Sequence, residues 1–353
     1  MPTEAATNPT VALHQIARYR GIRVLAWEGD VLYACRRYQI LRLQVGKDEL
    51  AWEPVARFHP ARWRELTSRN RLTYRLTRDG FHALAVLADG SMVGAVPGAI
   101  VTRTSGADEF RITHRVSRGT RPLHITASPS GNIYWGEYFD NRERREVHIY
   151  VSEDRGASWK VAYTFAAGAI RHVHNIVNDP WGNCFWILTG DEGAECKILR
   201  ASYDLGSIET VLQGNQQARA VVAIPTKDAL YLSTDTPHEQ NHIYRLDRGG
   251  AIERVGDLNS SSIYGSRVGE ALFFSTMAEP SVVNSESEIQ LFGSKNGHSW
   301  HALLSWKKDF WPMRYFQYGN VILPDGNNPT QVLAATMIGV TQDDLTTTLW
   351  TVG

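Results

Sequence analysis

From about residue 20 to the C-terminus the chain alternates short apolar runs with turn residues, and helical spacing of apolar positions is almost absent. Runs such as Asn132-Ile-Tyr-Trp-Gly-Glu137, Cys184-Phe-Trp-Ile-Leu-Thr-Gly-Asp191, Ala229-Leu-Tyr-Leu-Ser-Thr-Asp235 and Ala271-Leu-Phe-Phe-Ser-Thr276 are rich in β-branched and aromatic residues and bounded by Gly, Asp or Asn. Side chains of that kind fit a pleated, half-buried surface, so each run predicts a β-strand. Another apolar run and a turn precede each of them, and a loop and two more strands follow, as in Val147-His-Ile-Tyr-Val-Ser152 and Trp159-Lys-Val-Ala-Tyr-Thr-Phe165.

Four strands recurring every 40 to 50 residues or so is the pattern of a β-propeller blade. The expectation is therefore an all-β chain, a seven-bladed β-propeller with four-stranded antiparallel blades, with six blades as the variant count. The units begin near Ile22, Phe81, Pro122, Arg171, Ala218, Ser262 and Tyr315. A β-sandwich, or two stacked all-β domains, is the competing architecture. Residues 1–353 read as one domain, with 1–10 as a disordered tail. Residues 61–78 fit no strand and read as an insertion between blades, while Val11-Ala-Leu-His-Gln-Ile16 is placed to close the ring by adding a strand to the last blade.

Ser152-Glu-Asp154-Arg-Gly156-Ala-Ser158-Trp159 reads Ser-x-Asp-x-Gly-x-Ser-Trp, and Ser294-Lys-Asn296-Gly297-His-Ser299-Trp300 is a version one residue shorter. Tyr203-Asp204-Leu-Gly206 looks like a decayed copy. These strings resemble the Asp-box, or BNR repeat, of the sialidase-like superfamily of propellers. The resemblance implies a structural hairpin between third and fourth strands, on the face away from the active site. Asp or Asn caps the turn, Gly supplies positive φ, and Trp packs between sheets. It does not extend to sialidase catalysis: Phe110-Arg111-Ile112-Thr113 is the string nearest to the Arg-Ile-Pro element, with threonine in place of proline.

The charges balance at 37 basic and 37 acidic residues without like-charged blocks, which argues against a nucleic-acid or membrane partner. The start of the sequence has no basic and apolar leader pattern, and the chain reads as soluble and cytoplasmic. Three cysteines without a Cys-x-x-Cys spacing read as reduced thiols. Eleven tryptophans and fourteen tyrosines suit stacked sheets and sugar-binding surfaces alike.

Candidate chemistry follows from the repeat. His82, His124 and His174 open equivalent first strands, Arg219 takes that place in the next unit, and counting back from Asp325-Gly326 reaches Tyr318. Because strands alternate in direction, the start of a first strand and the end of a second share a face. Glu137, Asp191 and Asp235 thus join the histidines at one mouth, beneath loops carrying Tyr138, Glu192 and His238. Arg171, His172, His174, Asp191 and Glu192 form the densest polar cluster.

Two mechanisms suit such a mouth. Glu137 and Asp191 would be the carboxylate pair of a glycoside hydrolase. In a uronate-type polysaccharide lyase, His124 or His174 would be the base, Tyr138 or Tyr318 the acid, and Arg171 or Arg219 the clamp. His82, His172, Glu192, Tyr264, Asp235 and His238 complete the substrate-binding set. A divalent metal ion, if one binds, would be expected on His82, His124 and His174. The expected partner is an oligosaccharide or polysaccharide. The alternative is a non-catalytic propeller scaffold that binds a glycan or a protein.

Overall fold

The computed structural model describes residues 10–47, 49–284 and 287–353, so the expected tail at 1–10 lies almost wholly outside the described residues. Seven sets of four antiparallel strands succeed one another along the chain and are called blades 1 to 7 below. Blade 1 comprises Arg23–Glu28, Val31–Arg36, Gln39–Gln44 and Glu53–Arg57, with Asp325–Asn327 lying parallel along its first strand. Blade 2 begins at Ala83–Val86, blade 3 at Thr126–Ala127, blade 4 at His172–Asp179, blade 5 at Ala220–Pro225, blade 6 at Ser262–Val268 and blade 7 at Gly319–Ile322. The first five are separate sheets. Blades 6 and 7 share one eight-stranded sheet through Met277↔Asn320 and Ala278↔Gly319.

The N-terminal strand Leu13–Arg20 pairs antiparallel with Thr346–Val352 and forms the outer edge of blade 7. The two ends of the chain are thereby joined by backbone hydrogen bonds, which removes an open seam in the ring. Blades meet through apolar cores. Leu25, Ile40, Phe81 and Leu84 fill the space between blades 1 and 2. Tyr134, Ile149, Val173 and Phe185 do so between blades 3 and 4, and Val268, Phe273, Val321 and Leu333 between blades 6 and 7. Phe185 and Phe273 are fully buried, so truncating either to alanine would cost about 3–5 kcal/mol. Among the described residues no helix is long and apolar enough to cross a membrane.

The segment expected as an insertion folds as two short helices, Arg62–Thr67 and Arg71–Thr77, between blades 1 and 2. Its helical nature is invisible to a search for an apolar face because Trp63, Leu66, Leu72 and Leu76 all remain exposed. Polar anchors hold it instead. The buried Asp79 carboxylate accepts from Tyr38 (2.7 Å), Arg64 (2.8 Å), Thr67 and Thr77 (2.6 Å each). Buried Arg75 pairs with Asp309 and lies over the Trp311 ring. The second helix ends at Arg78 in the left-handed region, where the chain turns toward the mouth of the ring.

The serine-anchored turns form between third and fourth strands, as expected. Ser152 Oγ donates to Asp154 Oδ1 (2.7 Å) and accepts from the Gly156 N–H (2.7 Å), while the Ser158 N–H donates to Asp154 (2.8 Å). Ser294 and Asn296 repeat the arrangement, as do Ser202 and Asp204. Each turn sits where the third strand ends, at the end of the blade opposite to the starts of the first strands.

Candidate functional site

The first strands line an axial channel with a cavity at each end. The larger, about 860 Å³, lies toward the serine-anchored turns and is lined by apolar side chains such as Leu84, Ile125, Ile176 and Ile224 together with glycine, proline and asparagine residues and His124. The other, about 690 Å³, opens where first strands start and second strands end. It is lined by Arg23, Arg78, His82, Arg121, Tyr138, Asp140, Arg171, His172, Asp191, Arg219, Asp235, Tyr264, Glu279 and Tyr318, among others. This second mouth holds most of the ionisable groups and is the candidate site.

Two poles divide it. Blades 1 to 3 and the helical insertion supply Arg23, Arg78 and Arg121, none of which has a carboxylate partner among the described residues. His82 holds Arg23 in place: its Nε2–H donates to the Arg78 carbonyl (2.7 Å), leaving Nδ1 to accept from Arg23 Nη1 (3.0 Å). Burial and the neighbouring guanidiniums push His82 well below its ordinary value, so the ring is neutral and works as an acceptor. Burial, with Arg23 and Arg78 nearby, also pushes Arg121 down to about 9. The Nε–H groups of Arg23 and Arg121 are buried without a hydrogen-bond acceptor. Arg78 is exposed at the rim, but burying Arg23 and part of Arg121 without a counter-charge is costly unless an anion joins them.

Blades 4 to 6 supply the opposite pole. Asp191, Asp235 and Glu279 each follow the end of a second strand. Asp191 accepts from Arg171 Nη1 (3.1 Å) and lies 3.4 Å from Arg219 Nη2, which is also 3.4 Å from Asp235 Oδ2. Burial raises the Asp191 carboxyl, but the closely packed His172 and His174 rings outweigh it and hold the group well below the usual carboxylate range. Asp235 behaves in the opposite way. Burial first, with help from Glu279 and Asp191 and against Arg219, pushes it up to about 6, and its Oδ1 is buried without a partner. Burial likewise raises Glu279.

Tyr138 bridges the poles. Its ring packs on His172 with centroids 4.3 Å apart, and burial, then Asp191 and Asp235, push its hydroxyl up to about 12. It is therefore a proton donor at neutral pH and no base. Tyr318 is raised in the same direction by burial and Glu279.

His172 and His174 lie two residues apart on one strand and so face the same side. A bulge between Val173 and Asn175 brings His174 inward, where a Cβ on Gly190 would overlap its ring. Both Nδ1 atoms face backbone carbonyls, His172 that of Phe139 (3.0 Å) and His174 that of Ala220 (2.8 Å). Carbonyls only accept, so both Nδ1 atoms carry protons and both Nε2 atoms turn toward Asp191 Oδ1. The separations are 3.1 Å between the two Nε2 atoms, 3.1 Å from His174 to the oxygen and 3.3 Å from His172.

Several residues singled out in the sequence lie elsewhere. Glu137 is buried in an ion pair with Arg118 and accepts from the His148 N–H (2.8 Å), so it does not face Asp191 across the mouth. His124 lies on the channel wall 2.9 Å from Asp325. His82, His124 and His174 consequently do not meet, and among the described residues the set able to hold a metal is His172, His174 and Asp191. Glu192 and His238 are exposed outside the mouth. Arg23, Arg78, Arg121 and Glu279 join the site from outside the set the repeat predicts. Glu279 was findable, since Met277-Ala-Glu279 matches Thr189-Gly-Asp191 and Ser233-Thr-Asp235.

The architecture is that of a β-propeller, a class that the comparisons with solved structures bear out. The fold is similar to a chain of a nidogen/laminin complex (TM-score 0.50, 12% identity, 82% of this chain and 95% of that one). It is also similar to a chain of a mitotic checkpoint complex (TM-score 0.56, 11% identity, 100% and 98% covered) and to the WD40 β-propeller domain of Doa1 (TM-score 0.54, 9% identity, 97% of both). Likeness at these identities concerns the fold alone. No protein-family model and no curated protein matches the sequence.

Proposed function

We propose that this propeller binds an acidic, uronate-containing oligosaccharide or polysaccharide in the mouth between its two poles and cleaves it by β-elimination. The observation that carries the reading is the group of three guanidiniums, Arg23, Arg78 and Arg121, in the mouth without a carboxylate partner among the described residues. A sugar carboxylate seated there would neutralise them, and their charge would in turn stabilise the enolate that forms when the C5 proton leaves. Asp235, with its free buried oxygen, takes that proton. The C5–H electron pair becomes the C4–C5 double bond, the C4–O4 bond breaks, and Tyr138 gives its proton to the departing O4. Elimination is favoured over hydrolysis because Glu137, the partner a hydrolase would need beside Asp191, is committed to Arg118. The three serine-anchored turns support kinship with the Asp-box propellers of the sialidase-like superfamily, with this different chemistry at the mouth.

The test is incubation with polygalacturonate, alginate and hyaluronan oligosaccharides beside neutral cello-oligosaccharides. Product is followed by the ultraviolet absorbance of the unsaturated uronate and by reducing ends. Absorbance rising with an acidic substrate is the expected result. Reducing ends without absorbance would make the protein a hydrolase, and binding without product would make it a recognition module.

A further inference from the structure

We infer that His172 Nε2, His174 Nε2 and Asp191 Oδ1 form a binding site for one divalent transition-metal ion of the zinc type. This goes beyond the substrate reading and does not rest on it. Both Nδ1–H groups are spent on carbonyl oxygens, so with neutral rings three electron-pair donors point at one another across 3.1–3.3 Å and no proton lies between them. Such a convergence is repulsive unless a cation occupies its centre. Three ligands about 2.0–2.2 Å from a metal, at angles between octahedral and tetrahedral, stand about 2.9–3.4 Å apart, which is the spacing found.

The surroundings also suit a metal. Histidine ligands are commonly oriented by donating the second ring N–H to a backbone carbonyl or carboxylate, and both rings do so here. Both histidines are buried, at 4% and 3% exposure, so the ligand atoms are preorganised. Two nitrogens and one oxygen leave coordination positions open, and His172 and Asp191 border the cavity from which water or a substrate oxygen would fill them. Arg171, Arg219 and Arg142, the last on Asp140, bring three positive charges to this side, but four carboxylates, Asp140, Asp191, Asp235 and Glu279, border the same side. A dication therefore enters a region where carboxylates outnumber guanidiniums.

The competing occupant is a single proton, which would make one ring an imidazolium paired with Asp191. The experiment that separates the two uses the full chain without a histidine tag, stripped with a chelator and titrated with zinc chloride or cobalt chloride alone. One equivalent of zinc is expected to bind, to raise the Tm, and to be removed again by chelator. Cobalt should give the visible bands of a nitrogen- and oxygen-ligated ion. His172→Ala, His174→Ala and Asp191→Asn are each expected to weaken zinc by at least about 100-fold. His82→Gln and His124→Gln should bind as the wild type does. Should a ligand variant fail to fold, the zinc stoichiometry, Tm shift and cobalt spectrum of the wild type decide. Wild-type protein that takes up less than half an equivalent, or variants at 172 and 174 that keep full affinity, would overturn the inference in favour of the shared proton.

Discussion

The two poles of the mouth arise from different places in the repeat and carry opposite charge. On the side of blades 1 to 3 the chain brings Arg23, Arg78 and Arg121, held by a neutral His82 and by a helical insertion pinned on Asp79. On the side of blades 4 to 6 the second-strand ends bring Asp191, Asp235 and Glu279 against Arg171, Arg219 and the two histidines. A ring of near-identical blades supplies positions, and the individual side chains supply polarity. A ligand lying across the mouth would meet guanidiniums at one end and carboxylates at the other, which fixes its direction. Reaction chemistry of the kind proposed needs that asymmetry, because the enolate must form next to the cations while a base works from the other side.

The comparison is broken most severely by removing the base. Asp235→Asn keeps the shape and loses the proton acceptor, and kcat on the acidic oligosaccharide that reacts is expected to fall by roughly 10²–10⁴-fold with little change in KM. A fall below 10-fold would assign the base elsewhere. The same group can be watched directly. In chelator-treated protein, a carboxyl-carbon NMR signal absent from Asp235→Asn should titrate near pH 6, against 3.8 for an ordinary aspartate. The sign follows from burial, which disfavours the charged form and keeps the proton on to higher pH. If a zinc ion sits on Asp191 and the two histidines, its charge should move that titration to lower pH.

The guanidinium pole is tested by Arg121→Ala. A charge-assisted hydrogen bond in a desolvated site is worth about 1.5–3 kcal/mol, so KM for the acidic substrate should rise by about 10- to 100-fold. Arg121→Lys should recover part of the loss, because it restores the charge without the planar fork. Equal affinity of wild type and Arg121→Ala for the acidic probe would remove the arginines from the account.

What was legible in the sequence is what short-range chemistry decides. The strand pattern and the serine-anchored turns at Asp154 and Asn296 follow from residues adjacent in the chain, whereas the ring-closing pair follows from the repeat, which leaves the last blade short of a strand that Leu13–Arg20 supplies. His172, His174 and Asp191 were visible as a cluster because one hairpin carries all three. Glu137 looked equivalent to Asp191 by its place in the repeat, and each pairs with an arginine earlier in the chain, Arg118 and Arg171, but the rest of the Glu137 carboxylate is taken up by the His148 N–H, whereas Asp191 meets the two histidines at the mouth. Arg121 and Arg78 lie just outside the first strands, in a connection and at a helix end, where the blade pattern makes no statement. Their significance depends on three distant segments meeting, which local patterning does not encode.

The far face provides the sharpest control, because its expected effect on the mouth is nil. Asp154 organises a turn at the opposite end of blade 3, accepting from Ser152 and from the Ser158 side chain and N–H. Against some opposing burial these donors hold its carboxyl down at about 2, compared with 3.8 ordinarily. A group whose folded pKa is lowered adds stability that is complete above the unfolded value and is lost as pH falls through the folded one. The contribution of Asp154 should therefore disappear between about pH 4 and pH 2. Because the turn is exposed, Asp154→Ala should cost only about 1–2 kcal/mol in urea unfolding at neutral pH. That difference should shrink toward zero as the pH is lowered through the same window, while turnover and zinc binding stay at wild-type values. A loss of either function in Asp154→Ala would mean that the blades transmit strain along their length, and the two poles would then have to be treated as properties of the whole ring.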